Sequence, residues 1–277
     1  MANHFDCVGL DVPDAEAYVD LTRWVLANAP AVPDPATGRA ETVWTDPSGA
    51  RFSVQVSNEP ALVGSRPSYA GRTRLPFRAV RWVREDTVVG DVLAGDEVVY
   101  PLAVEIENPV AARRLDLAEV VAVAVTAFAE VLTVHADETA FRTAQTAEPR
   151  FAAQSLVPSG LVSADGAPRD PRAEILMNGR VGAALPRRNG HTGRTFWHAA
   201  VRTLGGDLDV VAAPEQVPDG LALGNIVSGS FWVVGRLVTS RDVAAELAAE
   251  PAPPGIGPAD TAPGPPPRRG LLRRLRP

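Results

Sequence analysis

Four histidines, one cysteine and a few glycine-flanked serines are the residues with which this chain could do chemistry. His191 and His198 stand seven apart, His191 in the turn-rich stretch PRRNGHTGR and His198 in the β-type run that follows it. Asp207 and Asp209 project from one face of their own run, because side chains alternate along a strand. The four could converge on a metal, since zinc takes three or four ligands in a tetrahedral array. The plainer expectation is an exposed turn histidine, a strand histidine and a solvated acidic pair, with no metal assigned. His135, near the end of an apolar run, adds nothing to either reading. Ser159, Ser228 and Ser230 each adjoin a glycine, but none lies in a Gly-x-Ser-x-Gly elbow. Gly255 and Gly257 fall in a proline-rich stretch without a strand before them, which is not a phosphate-binding loop. Cys7, the single cysteine, excludes an intrachain disulfide and a cysteine-based zinc site, and is expected to be a buried, inert thiol. No catalytic set and no cofactor follow from these residues.

The elements that must position them are β-rich. His4 to Val12 reads as a strand, and Asp14 as the N-cap of a helix that ends before Pro30. Pro33 to Gly38 reads as a loop. Glu41–Thr45 and Arg51–Val56 read as strands joined by the turn Asp46-Pro47-Ser48-Gly49. In the second of them Phe52, Val54 and Val56 alternate with Arg51, Ser53 and Gln55, giving an apolar and a polar face. Residues 59–71, punctuated by Pro60, Gly64, Pro67 and Gly71, read as a connection between two domains. Strands are then expected at Phe77–Arg84, Thr87–Leu93 and Val98–Glu107, a helix within 109–119, and a long strand or strand pair at Val120–His135. A short capped helix follows at Asp137–Gln145, a strand at Phe151–Val157 and a short helix at Asp242–Glu250. Between 172 and 240 four β-type runs alternate with turn chemistry, the pattern of a small closed or half-closed barrel.

Composition bounds the function. The 277 residues suffice for two cores, and 45% hydrophobic content excludes disorder of the whole chain. The 27 basic residues are all Arg and only four Ile occur, the coding bias of a GC-rich genome of the actinobacterial kind, so the choice of Arg carries little functional weight. Residues 251–277 hold nine Pro and five Arg and are expected to be a disordered tail whose RRGLLRRLRP end could touch an anionic surface. The net charge of −6 opposes broad electrostatic binding to nucleic acid, although residues 172–206 carry six Arg against Glu174. The N-terminus lacks a basic lead before an apolar stretch. The most apolar run, Val120 to Val134, contains Glu130 and is shorter than a membrane span of about 20 residues, so the expected address is the cytoplasm.

The order strand, helix, strand, strand in the first 60 residues, the strand-opening His4 and the hairpin WTDPSGARF (Trp44 to Phe52) resemble one module of the vicinal oxygen chelate, or glyoxalase-like, family. That resemblance implies a metal-ligand Glu near Ser53, where this chain has Arg51, Ser53 and Gln55; it implies a scaffold without the metal, able to bind a small molecule through His4, Trp44, Ser53 and Gln55. The 172–240 segment resembles an OB-fold in strand rhythm. Such a barrel would bind single-stranded nucleic acid through Arg187, Arg188 and Arg194 with Trp197 and Trp232 as stacking rings. A phrase running SGSFW to GRL (Ser228 to Leu237) is similar to one in actinobacterial proteins. The expected fold is thus α+β and β-rich: a glyoxalase-like module over 1–72, a β-rich domain over 73–250 with an OB-like barrel at 172–240, and a tail. The expected function is a non-enzymatic ligand-binding or protein-binding adaptor. The alternatives are single-stranded nucleic-acid binding and a divergent metal-dependent glyoxalase-like enzyme.

Overall fold

The computed structural model describes residues 3–57, 61–146, 150–161 and 170–249; the expected tail lies outside them. The chain is β-rich and forms two sheets. The first joins β1 (Ala31–Asp34), β2 (Arg39–Thr45), β3 (Ala50–Val56) and β4 (Leu62–Tyr69) in that order, all antiparallel. Helix α1 (Ala15–Asn28) precedes it, and Asp14 caps α1 by accepting from the Ala17 N–H at 2.9 Å.

The second sheet is mixed and has nine strands: β5 (Arg74–Trp82), β6 (Thr87–Ala94), β7 (Glu97–Ile106), β8 (Val120–His135), β9 (Ser155–Val157), β10 (Glu174–Arg188), β11 (Thr195–Thr203), β12 (Gly206–Ala212) and β13 (Ile226–Thr239). Short helices α3 (Glu138–Ala144) and α4 (Ser240–Ala249) lie on it, and α2 (Pro109–Ala112) contacts β1 and β2 of the first sheet. No helix among the described residues is long and apolar enough to cross a membrane. Val120–His135 is one strand, and β13 pairs with it along almost its whole length. Around this ribbon the pairings close twice. One circuit runs β8–β12–β11–β10–β13 and back to β8. The other runs β8–β5–β6–β7–β13 and back. The four runs read between 172 and 240 are β10 to β13, and β8 completes their circuit. β10 serves three neighbours, β13 through residues 174–180, β9 through residues 176–178 and β11 from residue 180 onward, with a register shift between Val181 and Ala183 at the change of direction.

Several elements differ from the sequence reading. His4 to Val12 is not a strand: it contains a 3-10 turn, Asp6–Val8. The Asn3 side chain accepts from the Phe5 and Asp6 N–H groups, an Asx turn that competes with extended backbone, and Gly9 closes the turn at φ 66°. The supposed interdomain connection contains β4, a strand on the edge of the first sheet, where Gly64 and Pro67 are tolerated because only one side of the strand makes a ladder. Pro33 likewise sits in the edge strand β1. Within 109–119 only Pro109–Ala112 is α-helical, and Phe151–Val157 contracts to Ser155–Val157.

Among the described residues two large apolar clusters hold the molecule, beside a small third one of Phe141, Ala153 and Ile226. The larger fills the strand circuits, with Phe77, Leu102, Ile106, Ile175, Met177, Leu208 and Phe231 nearly free of solvent contact. The second unites Cys7, Val8, Leu10, Leu21, Val25, Phe52 and Val54 with Phe128, Phe196, Val211 and Val234 from the second sheet. One apolar core therefore links the first 56 residues to strands beyond residue 120. The other face of β3, the polar one by alternation, is buried too: Ser53 is 0% and Gln55 5% exposed. Arg66, on the same face by register, donates to the Ile106 carbonyl and pairs with Asp86, tying that polar face to the second sheet.

Candidate functional site

Two turns that the sequence marks as turns grip each other. Asp46 accepts from Ser48 N–H within its own hairpin (2.8 Å) and from Gly190 N–H (2.9 Å) in the turn between β10 and β11. That second turn is fastened by Asn189, fully buried, which accepts from the His191 and Thr192 N–H groups and donates to the Val8 carbonyl. His191 then stacks on Trp24 of α1 at 3.8 Å. This clamp fixes the 45–49 hairpin above the outer face of β11 and β12.

Between them opens a cleft of about 840 Å³. Alternation puts Phe196, His198 and Ala200 of β11 on one face, with Arg187 of β10 and Asp207 and Asp209 of β12 beside them in register. Phe196 points into the second core, while His198, Ala200, Arg187 and the two aspartates line the cleft. Its other wall is Thr45–Gly49 and the segment Tyr69–Arg74 that leaves β4.

His198 and Asp209 form a pair, with Nε2 at 2.6 Å from Oδ1. Asp209 Oδ2 accepts the Thr73 N–H at 2.7 Å. Burial alone would raise the Asp209 carboxyl, but the bonds from His198 and Thr73 outweigh it and hold the group below its ordinary value. An ionised carboxylate only accepts, so His198 Nε2 is the donor and Nδ1 is left over. Tyr69 lies against the imidazole at 4.8 Å, and its hydroxyl is pushed upward by burial, with Arg187 partly opposing. Gly71 is required by contact: a Cβ there would stand 2.4 Å from Asp209 Oδ2.

The polar accounting is lopsided. Asp209 and Asp46 have both oxygens engaged by the protein, and Asp207 lies near Arg202 at 3.7 Å on the open side. Apart from Nδ1 of His198, an acceptor in the neutral ring, the leftover groups are donors. Among the described residues the enclosed Arg187 Nε has no hydrogen-bond partner and the exposed Arg72 makes no hydrogen bond. A ligand completing this site must bring acceptors, and negative charge suits them best.

The residues singled out from sequence are distributed as follows. His4 stacks on Trp232 at 4.4 Å and lies 3.6 Å from Glu130, with burial lowering its pKa. Trp44 packs edge-on to Trp24 at 5.3 Å. Ser53 and Gln55 point to the opposite face of β3, and their Oγ and Nε2 have no hydrogen-bond partner among the described residues. The four share no common surface. Of the arginines, Arg187 lines the cleft, Arg188 donates to the Gly193 carbonyl and Arg194 pairs with Asp6 and Asp11. Trp197 packs against the larger core, and Trp232 is covered by His4 while its Nε1 donates to Glu105. Among the described residues no group of three or more His, Cys, Asp and Glu could hold a metal. Sequence reasoning missed Tyr69, Arg72 and Thr73, whose signal was the cluster SYAGRTR at the end of what proves to be β4. It read His198 as a strand histidine and Asp209 as half of a solvated acidic pair, with zinc ligation as the alternative; Asp209 is instead 3% exposed and bonded to His198. The chain matches no family model, no curated protein and no solved structure.

Proposed function

We propose that this protein binds a small anionic molecule in the cleft between the 45–49 hairpin, the Tyr69–Arg74 segment and the outer face of β11–β12. The observation that carries the reading is the surplus of donors: among the described residues the enclosed Arg187 Nε has no hydrogen-bond partner and the exposed Arg72 bonds to none, while the buried acidic groups around them are engaged. The His198–Asp209 pair lines the same wall; with Nε2 donating to Asp209, Nδ1 of the neutral ring is an acceptor and can take a hydrogen bond from a protonated oxygen of the ligand. The reading keeps the glyoxalase-like outline for the first module, with its Asp-Pro-x-Gly hairpin forming a wall of the site rather than leading to a metal ligand. It keeps an OB-like barrel as the description of the circuit containing β10 to β13, and the ligand sits on the outside of that circuit. Binding without turnover is the activity proposed.

Calorimetric titration of the full chain with inorganic phosphate at low salt tests this. The wild type should bind, Arg187→Gln should weaken binding about tenfold, the loss of one charge-assisted contact, and Arg188→Gln should not change it. Absence of binding to the wild type, or equal effects of the two substitutions, would sink the proposal.

A further inference from the structure

Beyond His198 the floor of the cleft changes character. His198 and Asp209 are diagonal neighbours across β11 and β12, where Ala200 stands opposite Asp209. The same diagonal, one step along, sets Asp207 beside Ala200. Ala200 raises only a methyl group there, so the floor stays low between the imidazole and Asp207, and all three line the cleft. Two residues of β11, about 7 Å, separate the positions of His198 and Ala200. Asp207 is exposed, and its carboxylate accepts no hydrogen bond from a described residue: its ion pair with Arg202 Nε is 3.7 Å long, beyond hydrogen-bond reach. This end of the cleft therefore holds two open acceptors, His198 Nδ1 and Asp207. The facing wall holds hydroxyls. Thr45 Oγ1 already accepts from Arg51 Nε and Ser48 Oγ from the Ala50 N–H, so each keeps its own O–H to give.

Resting on the reading of the cleft as an anion site, we infer that the anionic group belongs to a hydroxylated molecule, a short polyol carrying one anion. The anion sits by Arg187 and Arg72, and the carbon chain crosses Ala200 toward Asp207. A hydroxyl both donates and accepts, so it can give its proton to His198 Nδ1 or Asp207 and take one from Thr45 or Ser48. An alkyl chain can do neither, and would strip water from the two acceptors without replacing it. An ammonium group could also donate to Asp207. Arg202 stands 3.7 Å from that carboxylate, however, and Arg72 lines the same cleft, so both oppose a further positive charge, and a hydroxyl brings none.

The test is calorimetric titration of the full chain with inorganic phosphate, propyl phosphate, glycerol 3-phosphate and 2-aminoethyl phosphate at constant ionic strength. Wild type, Asp207→Ala and Asp207→Asn are compared, with thermal melts confirming that each folds. The readout is the ratio of affinities within one protein, which cancels the general effect of removing a negative charge near an anion. In the wild type, glycerol 3-phosphate should bind about tenfold more tightly than propyl phosphate. That ratio should fall to about one in Asp207→Ala and be partly restored in Asp207→Asn, whose amide oxygen still accepts. Phosphate binding with no preference for glycerol 3-phosphate over propyl phosphate would overturn the polyol inference and leave the anion site standing. A preference that survives in Asp207→Ala would overturn the placement of the hydroxyls. Tighter binding of 2-aminoethyl phosphate than of glycerol 3-phosphate would overturn the hydroxyl class. If none of the four binds the wild type, the anion site itself fails and this inference with it.

Discussion

Glu41 offers the sharpest physical test of the interior. It is 2% exposed on β2, opposite Gln55 in register, on the polar face that the first sheet turns toward the second. Its Oε2 accepts a long bond from the Ala111 N–H at 3.4 Å, and its Oε1 has no hydrogen-bond partner among the described residues. Burial pushes its carboxyl up from 4.5 to about 7, with Ala111, Val110 and Arg66 only partly opposing. The sign follows from which state holds the proton. Below the unfolded value both states are protonated and the group adds no pH dependence. Between the two values the unfolded chain releases its proton while the folded chain keeps it, so stability falls as pH rises. Above the folded value the penalty is complete. A displacement from 4.5 to about 7 corresponds to about 3 kcal/mol at mildly alkaline pH. Glu41→Gln keeps the shape and removes the titration. Urea unfolding of both proteins, followed by tryptophan fluorescence at pH 4.5 and pH 8, gives the difference directly. The variant should gain about 3 kcal/mol on the wild type between the two pH values. Glu105 and Glu130, also raised by burial, tilt both proteins alike and cancel. A difference that does not change with pH, or a variant that becomes relatively less stable at pH 8, would refute the reasoning.

Other consequences are as direct. Phe196 is 0% exposed in the cluster that joins the two sheets, so Phe196→Ala should cost about 3–5 kcal/mol and lower a single cooperative melt; a melt that splits into two, with one half unchanged, would show that the sheets do not share a core. The Cys7 thiol is buried and pushed up to about 12 by that burial, so a thiol reagent should label it slowly in the native protein and fast in urea; equal rates would contradict its placement. Gly71→Ala puts a methyl 2.4 Å from Asp209 Oδ2 and should abolish phosphate binding while the protein still folds; unchanged affinity would remove the cleft from the account.

How far the sequence speaks depends on whether its signals are local. The β8 run is legible because Val and Thr recur along its length, and α1 and α3 because Asp14 and Asp137 cap them with their own side chains. The pairing of His198 with Asp209 is partly legible. The tight Leu204–Gly205 connection sets β11 against β12 so that Ala200 faces Asp209, and His198 is its diagonal neighbour on the same side. β4 was hidden because Gly64 and Pro67 are the residues that usually end strands, and only its edge position accommodates them. The polar face of β3 misled for a related reason: alternation distinguishes two faces but not which of them meets another sheet. The bond from Gly190 to Asp46 spans 144 residues, and no local pattern announces it, although both turns were marked as turns. The cleft is built by that clamp, so its residues were recognisable singly and its existence was not.

The central claim is that an anion binds where Arg72, Arg187 and the His198–Asp209 pair meet. The most direct measurement is a phosphate titration of isotope-labelled full-length protein followed by NMR. The account predicts saturable shifts of the Arg72 and Thr73 amides and the His198 ring, with the Arg188 and Arg194 amides unmoved. Shifts confined to the Arg188–Arg194 turn, or none at all, would contradict it.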